Sequence, residues 1–150
     1  AMAKDIGNAS NASLIEGIVI KEAKDWILPL VEAFESTIET CEAYNAAHER
    51  AIAKGSTFYH YCLYRNAQPI STITLSIHNQ IARIDDVGTM PEFQRQGYAT
   101  SLVNHALSEA AKMGVDQCFL EASSSGISVY QKVGFKALFE NRIYSLGIKQ

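Results

Sequence analysis

The chain has 150 residues, 47% of them hydrophobic, and a formal net charge of −3. A chain of this size buries roughly two-thirds of its unfolded surface in one core, and the weakly acidic balance, without a run of Lys or Arg, excludes the basic face of a nucleic-acid binder. No apolar run reaches the ~18 residues of a membrane span, and Cys41, Cys62 and Cys118 lack the spacing of a disulfide framework or a metal site, which suits a reducing cytoplasm.

Residues 1–13, small and polar, read as a flexible tail ahead of a single domain over 14–150. Gly17 to Lys21 predicts a short strand. Asp25 is placed to cap a helix through Trp26 to Phe34, in which Pro29 is tolerable only in the first turn. Glu42 to Lys54 predicts a second helix, stopped by Gly55. From Thr57 the period becomes that of strands: TFYHYCLYR, ISTITLSIH and ARIDDVGT, separated by Asn- and Gln-containing turns, form an antiparallel meander. Phe58, His60, Cys62 and Tyr64 fall on one face of the first and Tyr59, Tyr61 and Leu63 on the other, so helices must cover both faces.

The helix after Gly97 has Ala99, Leu102, Val103, Ala106, Leu107, Ala110 and Met113 at helical spacing, with His105 expected on the solvated face. Val115 to Ala122 is the next strand, parallel to Ile84–Thr89 because a helical crossover joins them. A short helix over Ile127–Val133, ended by Gly134, and one long strand FKALFENRIYSL complete a mixed α/β layer structure. A glycine turn at the start of a helix delivers N–H groups without intrahelical partners, which makes an anion site. The three preceding antiparallel strands exclude a dinucleotide fold, and the absence of GKS or GKT excludes a Walker loop.

The stretch Ile84-Asp85-Asp86-Val87-Gly88-Thr89-x-Pro91-Glu92-Phe93-Gln94-x-x-Gly97-x-Ala99, followed at the proper distance by Tyr130-x-Lys132-x-Gly134-Phe135, resembles the GNAT superfamily of acetyl-CoA-dependent N-acetyltransferases. The resemblance implies a central mixed sheet, an antiparallel meander followed by parallel splayed strands, flanked by about four helices. It implies that backbone groups of Val87, Gly88 and Thr89 meet the pantetheine arm of acetyl-CoA, and that Gln94, Arg95, Gln96, Gly97, Tyr98, Ala99 and Thr100 hold the pyrophosphate. Ser123 stands where many members carry Asn against the cofactor arm.

Tyr130 matches the tyrosine that protonates the departing thiolate, with a core aromatic as the bland alternative. Asp85 and Asp86 are candidates for the base. By strand alternation their side chains point to opposite faces, so one at most faces the substrate, and pairing with Arg83 is the competing reading. His60 reads as a satisfied core histidine, and Cys62 and Cys118 as buried hydrophobes. The resulting expectation is a cytoplasmic transferase, with no metal, that moves an acetyl group to a small-molecule or peptide amine by direct attack; the alternative is a non-catalytic acyl-CoA-binding module. Neither nucleic acid nor a membrane is an expected partner. The C-terminus offers one strand where many relatives have a hairpin, so the acceptor-side wall is expected to be completed by a partner subunit, as in a homodimer, or by a further segment.

Overall fold

Two tight turns set the register of the sheet. In the computed structural model, which describes residues 1–6 and 18–144, Asn66–Ala67 and Asn79–Gln80 all have positive φ, the geometry that matches the right-handed twist of flanking strands. They join β3 (Thr57–Arg65), β4 (Gln68–His78) and β5 (Ile81–Thr89) into the expected meander. Around them lie β1 (Met2–Asp5), β2 (Val19–Glu22), α1 (Leu28–Ala33), α2 (Ile38–Ala53), α3 (Tyr98–Lys112), β6 (Gln117–Leu120), α4 (Ile127–Val133) and β7 (Lys136–Ala137). The sheet order is β2-β3-β4-β5-β6-β1-β7, with β5 and β6 parallel. The mixed sheet and helical layers match the sequence reading.

The helices cover both faces, as the two apolar faces of β3 require. Leu63, Leu75, Ile84, Leu102, Val103 and Leu107 belong to the core under α3, whereas Trp26, Ile27, Leu30, Cys41 and Cys62 form a second core under α1 and α2. Pro29 lies in the first turn of α1, where its missing N–H costs nothing. Asp25 does not cap that helix: its carboxylate accepts from the Tyr64 hydroxyl at 2.5 Å, and the helix begins at Leu28 without a side-chain cap. α2 begins a turn earlier than expected because the Thr37 side chain accepts from the Thr40 N–H. His105 is also corrected, since its ring packs edge-on against Tyr61 at 4.8 Å.

The largest difference concerns the N-terminus. Instead of a tail, Met2–Asp5 is a strand inserted between β6 and β7 and antiparallel to both. Met2 and Ile6 are buried at 3% and 1% exposure, and Lys4, between them on the same side of the strand, donates to the Val133 carbonyl. Four residues are too few for a period to stand out, and their partners, β6 and β7, lie more than a hundred positions away. The expected long final strand shrinks to Lys136–Ala137 paired with β1. The strand beside β7 thus comes from the other end of the chain, as β1. The rest of the expected tail, residues 7–13, lies outside the described residues.

Replacing Ile6 with Ala removes a fully buried side chain that fastens β1, and about 2–4 kcal/mol of unfolding free energy should go with it. Denaturant titration checks this; an unchanged midpoint would show that β1 is not part of the cooperative fold.

Candidate active site

β5 and β6 part company midway. Their parallel pairing runs from Ile81↔Gln117 to Ile84↔Leu120, where β6 ends, but β5 continues to Thr89. The cause is a bulge: pairing with β4 slips between Thr72 and Thr74, and Asp86 adopts φ 55°. A bulge raises the local twist and bends its strand, here turning β5 away from β6. From Asp85 to Thr89 one edge of β5 therefore has no neighbouring strand. The other edge is fastened: the Ser71 hydroxyl donates to the Gly88 carbonyl at 3.0 Å and bonds the Thr89 hydroxyl at 2.7 Å. Gly88 also admits α1, because a Cβ there would stand 3.0–3.2 Å from Leu30, Ala33 and Phe34.

The strand edge leads into the glycine turn. The Met90 N–H returns to the Ile70 carbonyl, Pro91–Phe93 forms a 3₁₀ turn, and the Gln94 amide donates to the Thr89 carbonyl at 3.1 Å. Arg95 and Gly97 have φ 59° and 87°, so the chain doubles back into α3 with Gly97 at its N-cap. The first α3 N–H to find a carbonyl is that of Ser101, on Gly97. Among the described residues, the N–H groups from Arg95 to Thr100 have no backbone acceptor, and the helix dipole adds about half a positive charge beside them. These groups fit a pyrophosphate, and the open β5 edge fits the amide-bearing arm of acetyl-CoA.

At the point of divergence stand the two carboxylates, where the left-handed turn of Asp86 interrupts the strand geometry. Their side chains meet different partners. Asp85 is held by Arg83 in a two-pronged ion pair at 2.8 and 3.0 Å, as the competing reading had it. Asp86 accepts from the Thr74 hydroxyl at 2.7 Å and from the Tyr44 hydroxyl at 3.1 and 3.2 Å. Burial raises its pKa, with the Asp85 charge adding to the rise; the hydrogen bonds from Thr74 and Tyr44 oppose it. A carboxylate with a raised pKa accepts a proton more readily, which is what a base requires.

Tyr130 projects from α4, its ring edge-on to Phe135 at 6.1 Å. Gly126 makes room for it, since a Cβ there would lie 3.0 Å from the Tyr130 ring. Burial raises the phenol pKa and the Asp85 charge adds to the rise, so the hydroxyl remains a proton donor. Ser123 lies in the turn before α4, its hydroxyl bonded to that of Ser125 at 3.1 Å and its carbonyl accepting from Gly126 and Ile127. Cys62 and Cys118 are buried and their thiols pushed up to about 12 by that burial, so neither is a nucleophile.

Thr74, Tyr44 and His48 escape the sequence reading. The one available signal is the spacing of Tyr44 and His48, one turn apart on the same helix face. His60, read as a core histidine, is buried and its Nε2 shares a hydrogen bond of 2.8 Å with Nδ1 of His48. Among the described residues no helix is long and apolar enough to cross a membrane, and no three His, Cys, Asp or Glu side chains gather as metal ligands.

A mixed sheet that splays beside a helix N-terminus defines the class of acetyl-CoA-dependent acetyltransferase folds. The family model for the acetyltransferase (GNAT) family matches residues 25–135, and the chain belongs to that family. An uncharacterized N-acetyltransferase of Bacillus subtilis, CgeE, is 36% identical over 72 residues, covering 45% of this chain and 28% of CgeE. The [ribosomal protein bS18]-alanine N-acetyltransferase of Escherichia coli is 26% identical over 94 residues, covering 61% of this chain and 64% of its own length. The chain thus spans less than two-thirds of these relatives. Among solved structures, the PaiA N-acetyltransferase of Thermoplasma acidophilum in complex with coenzyme A has a TM-score of 0.65 at 20% identity, over 83% of this chain and 92% of its own. A GCN5-related N-acetyltransferase of Ralstonia eutropha has a TM-score of 0.67 at 19% identity, over 87% of this chain and all of its own.

Gly88→Ala should push α1 off β5 and lower both stability and affinity for acetyl-CoA, whereas Gly55→Ala, where a Cβ would meet nothing, should cost only backbone strain. Parallel thermal melts and acetyl-CoA titrations separate the two. A second test uses pH. Burial, with the neighbouring His48 adding, depresses His60 from 6.5 to about 4, so below 6.5 the unfolded chain binds a proton that the folded one refuses. Its contribution to stability is full above pH 6.5 and is lost as the pH falls toward 4. His60→Gln should show a shallower loss over that window, measured by denaturation at pH 7.5 and pH 5; an identical slope would contradict it.

Proposed function

We propose that this chain is an N-acetyltransferase that moves an acetyl group from acetyl-CoA to a primary amine by direct attack while both are bound. The observation that carries the reading is the β5 edge from Asp85 to Thr89 without a neighbouring strand, leading through a 3₁₀ turn to the acceptor-free N–H groups of Arg95 to Thr100, with Asp86 at one end. The pantetheine arm lies along Val87, Gly88 and Thr89, and the pyrophosphate rests on the turn from Gln94 to Thr100, which places the thioester beside the carboxylates. Ser123 faces the arm from the β6 side. Two carboxylates, one paired with Arg83, leave a net negative site that suits an ammonium rather than an anion. A peptide N-terminus or a small amine fits this chemistry, and the alanine named for the Escherichia coli relative is an amine of the first kind.

Asp86 takes a proton from the ammonium, directly or through water, freeing the nitrogen lone pair. The nitrogen attacks the thioester carbonyl, the C–S bond breaks, Tyr130 gives its phenolic proton to the departing sulfur, and the proton shed by the new amide nitrogen restores the phenol through solvent. Burial, with the charge of Asp85 adding, keeps Tyr130 protonated until then. The products are an acetylated amine and free coenzyme A.

The test is release of coenzyme A thiol from acetyl-CoA across a panel of amines and N-terminal peptides. Turnover is expected with at least one amine. Asp86→Asn should lower kcat/KM about 10²–10⁴-fold and Tyr130→Phe should lower kcat by at least about tenfold, each with little change in the KM for acetyl-CoA. Binding of acetyl-CoA without turnover across the panel would favour the non-catalytic reading, and full activity in either variant would remove that residue's role.

A further inference from the structure

Asp86 belongs to a closed circuit of side chains that spans three strands and one helix. From β4, Thr74 donates to Asp86, and Thr74 sits directly opposite His60 of β3 in the sheet register. His60 shares its hydrogen bond with His48 of α2. One turn earlier on α2 is Tyr44, whose ring meets that of His48 at 4.4 Å and 61° and whose hydroxyl returns to both oxygens of Asp86. The imidazoles have little freedom within this circuit: Trp26 stacks on His60 at 4.0 Å and on His48 at 5.1 Å, and Phe58 lies 4.7 Å from His48. Trp26 is itself anchored by its indole N–H to Asn45 at 2.8 Å.

Tyr44 alone is poorly placed to hold its own hydroxyl, being 40% exposed. What fixes it is the ring beneath. We propose that His48, clamped to His60, is a positioning residue for Asp86 that acts through the Tyr44 hydroxyl. The inference rests on the reading of Asp86 as the base. Two neutral imidazoles make this clamp, one donating and the other accepting, and burial lowers the pKa of both. The groups facing the pair are Asp86 and Asp85 from β5 and, around an open hollow of about 380 Å³ lined by His60, Glu22, Lys24 and Glu49. If both imidazoles were protonated, N–H would face N–H and the clamp would open.

The sign of the effect on Asp86 is fixed by the geometry. The Tyr44 hydroxyl donates to the carboxylate and so favours its charged form. Loosening Tyr44 raises the pH at which Asp86 becomes a base and moves the acid limb of the kcat/KM profile upward. His48→Gln keeps an amide for His60 but leaves Tyr44 only the more distant Trp26 ring, at 5.8 Å, and Tyr44→Phe removes the donor itself.

The experiment records kcat/KM for the amine from pH 5 to pH 9, at saturating acetyl-CoA, for wild type, His48→Gln, Tyr44→Phe, the double variant and Asp86→Asn. Each single variant should shift the acid limb upward by about half a pH unit or more, and the double should shift it no further than Tyr44→Phe alone. The KM for acetyl-CoA should stay within about twofold, because the pair touches neither the open β5 edge nor the glycine turn. A His48→Gln limb that stays in place, or shifts that add in the double variant, overturns the inference. Should His48→Gln fail to fold, His60→Phe, which takes the clamp from His48 but keeps a ring against Trp26, is expected to shift the limb upward in the same way, and a limb that stays in place there overturns the inference equally. A wild-type acid limb that persists in Asp86→Asn would instead remove the base assignment, so the two failures are distinguishable.

Discussion

Everything at the candidate site depends on one misfit in the sheet. An extra residue on β5 at Asp86 breaks the pairing with β4, turns the strand and ends its alliance with β6 after Ile84. Backbone groups within a protein require partners, and a strand edge left open within a sheet is a place for a ligand that carries its own amides. The same bulge rotates the Asp86 carboxylate onto the α2 face. The open edge proposed for the cofactor and the carboxylate proposed as the base thus share a single backbone irregularity, held by Ser71 on one side and by the Gly88–α1 contact on the other. A left-handed conformation at a non-glycine residue carries strain of order 1–3 kcal/mol, and the hydrogen bonds from Thr74 and Tyr44 to the same residue offset it.

The electrostatics divide labour between two neighbouring carboxylates. Asp85, half-buried on β5, is neutralised by Arg83, and its charge adds to the effect of burial on Tyr130. Asp86, more deeply placed, has no cation and is solvated by hydroxyls instead. A carboxylate held by hydroxyl donors keeps more of its proton affinity than one paired with a guanidinium, which is why Asp86 suits the proposed base role better than Asp85. Behind Asp86 the protein places uncharged imidazoles rather than a second acid or a cation, and so leaves its proton affinity to the hydroxyls.

Elements with many periods were legible in the sequence. α3 has seven apolar residues on one stripe, and its boundaries came out within a residue of the observed Tyr98–Lys112. The meander was marked by two Asn-containing turns, and the glycine turn by Gly97 before that helix. What stayed hidden depends on register or distance. Met2–Asp5 becomes a strand because β6 and β7 offer it two open edges, a fact no local window contains. The slip opposite Thr72–Thr74 and the left-handed backbone of Asp86 leave no mark on a period of two. Thr74, Tyr44 and His48 come from a strand and a helix that bear no motif, and they meet Asp86 through tertiary packing alone. Tyr130 and Gly97, by contrast, sit in motifs whose local context is enough to place them.

The most direct measurement of the central claim is amide hydrogen exchange with and without acetyl-CoA. The account predicts slower exchange on addition of acetyl-CoA along the Asp85–Thr89 edge and at the N–H groups of Arg95 to Thr100, with the far sheet edge at Val19–Glu22 unchanged. Protection that appears instead around the hollow lined by Trp26 and His60, with the β5 edge and the glycine turn unaffected, would contradict it.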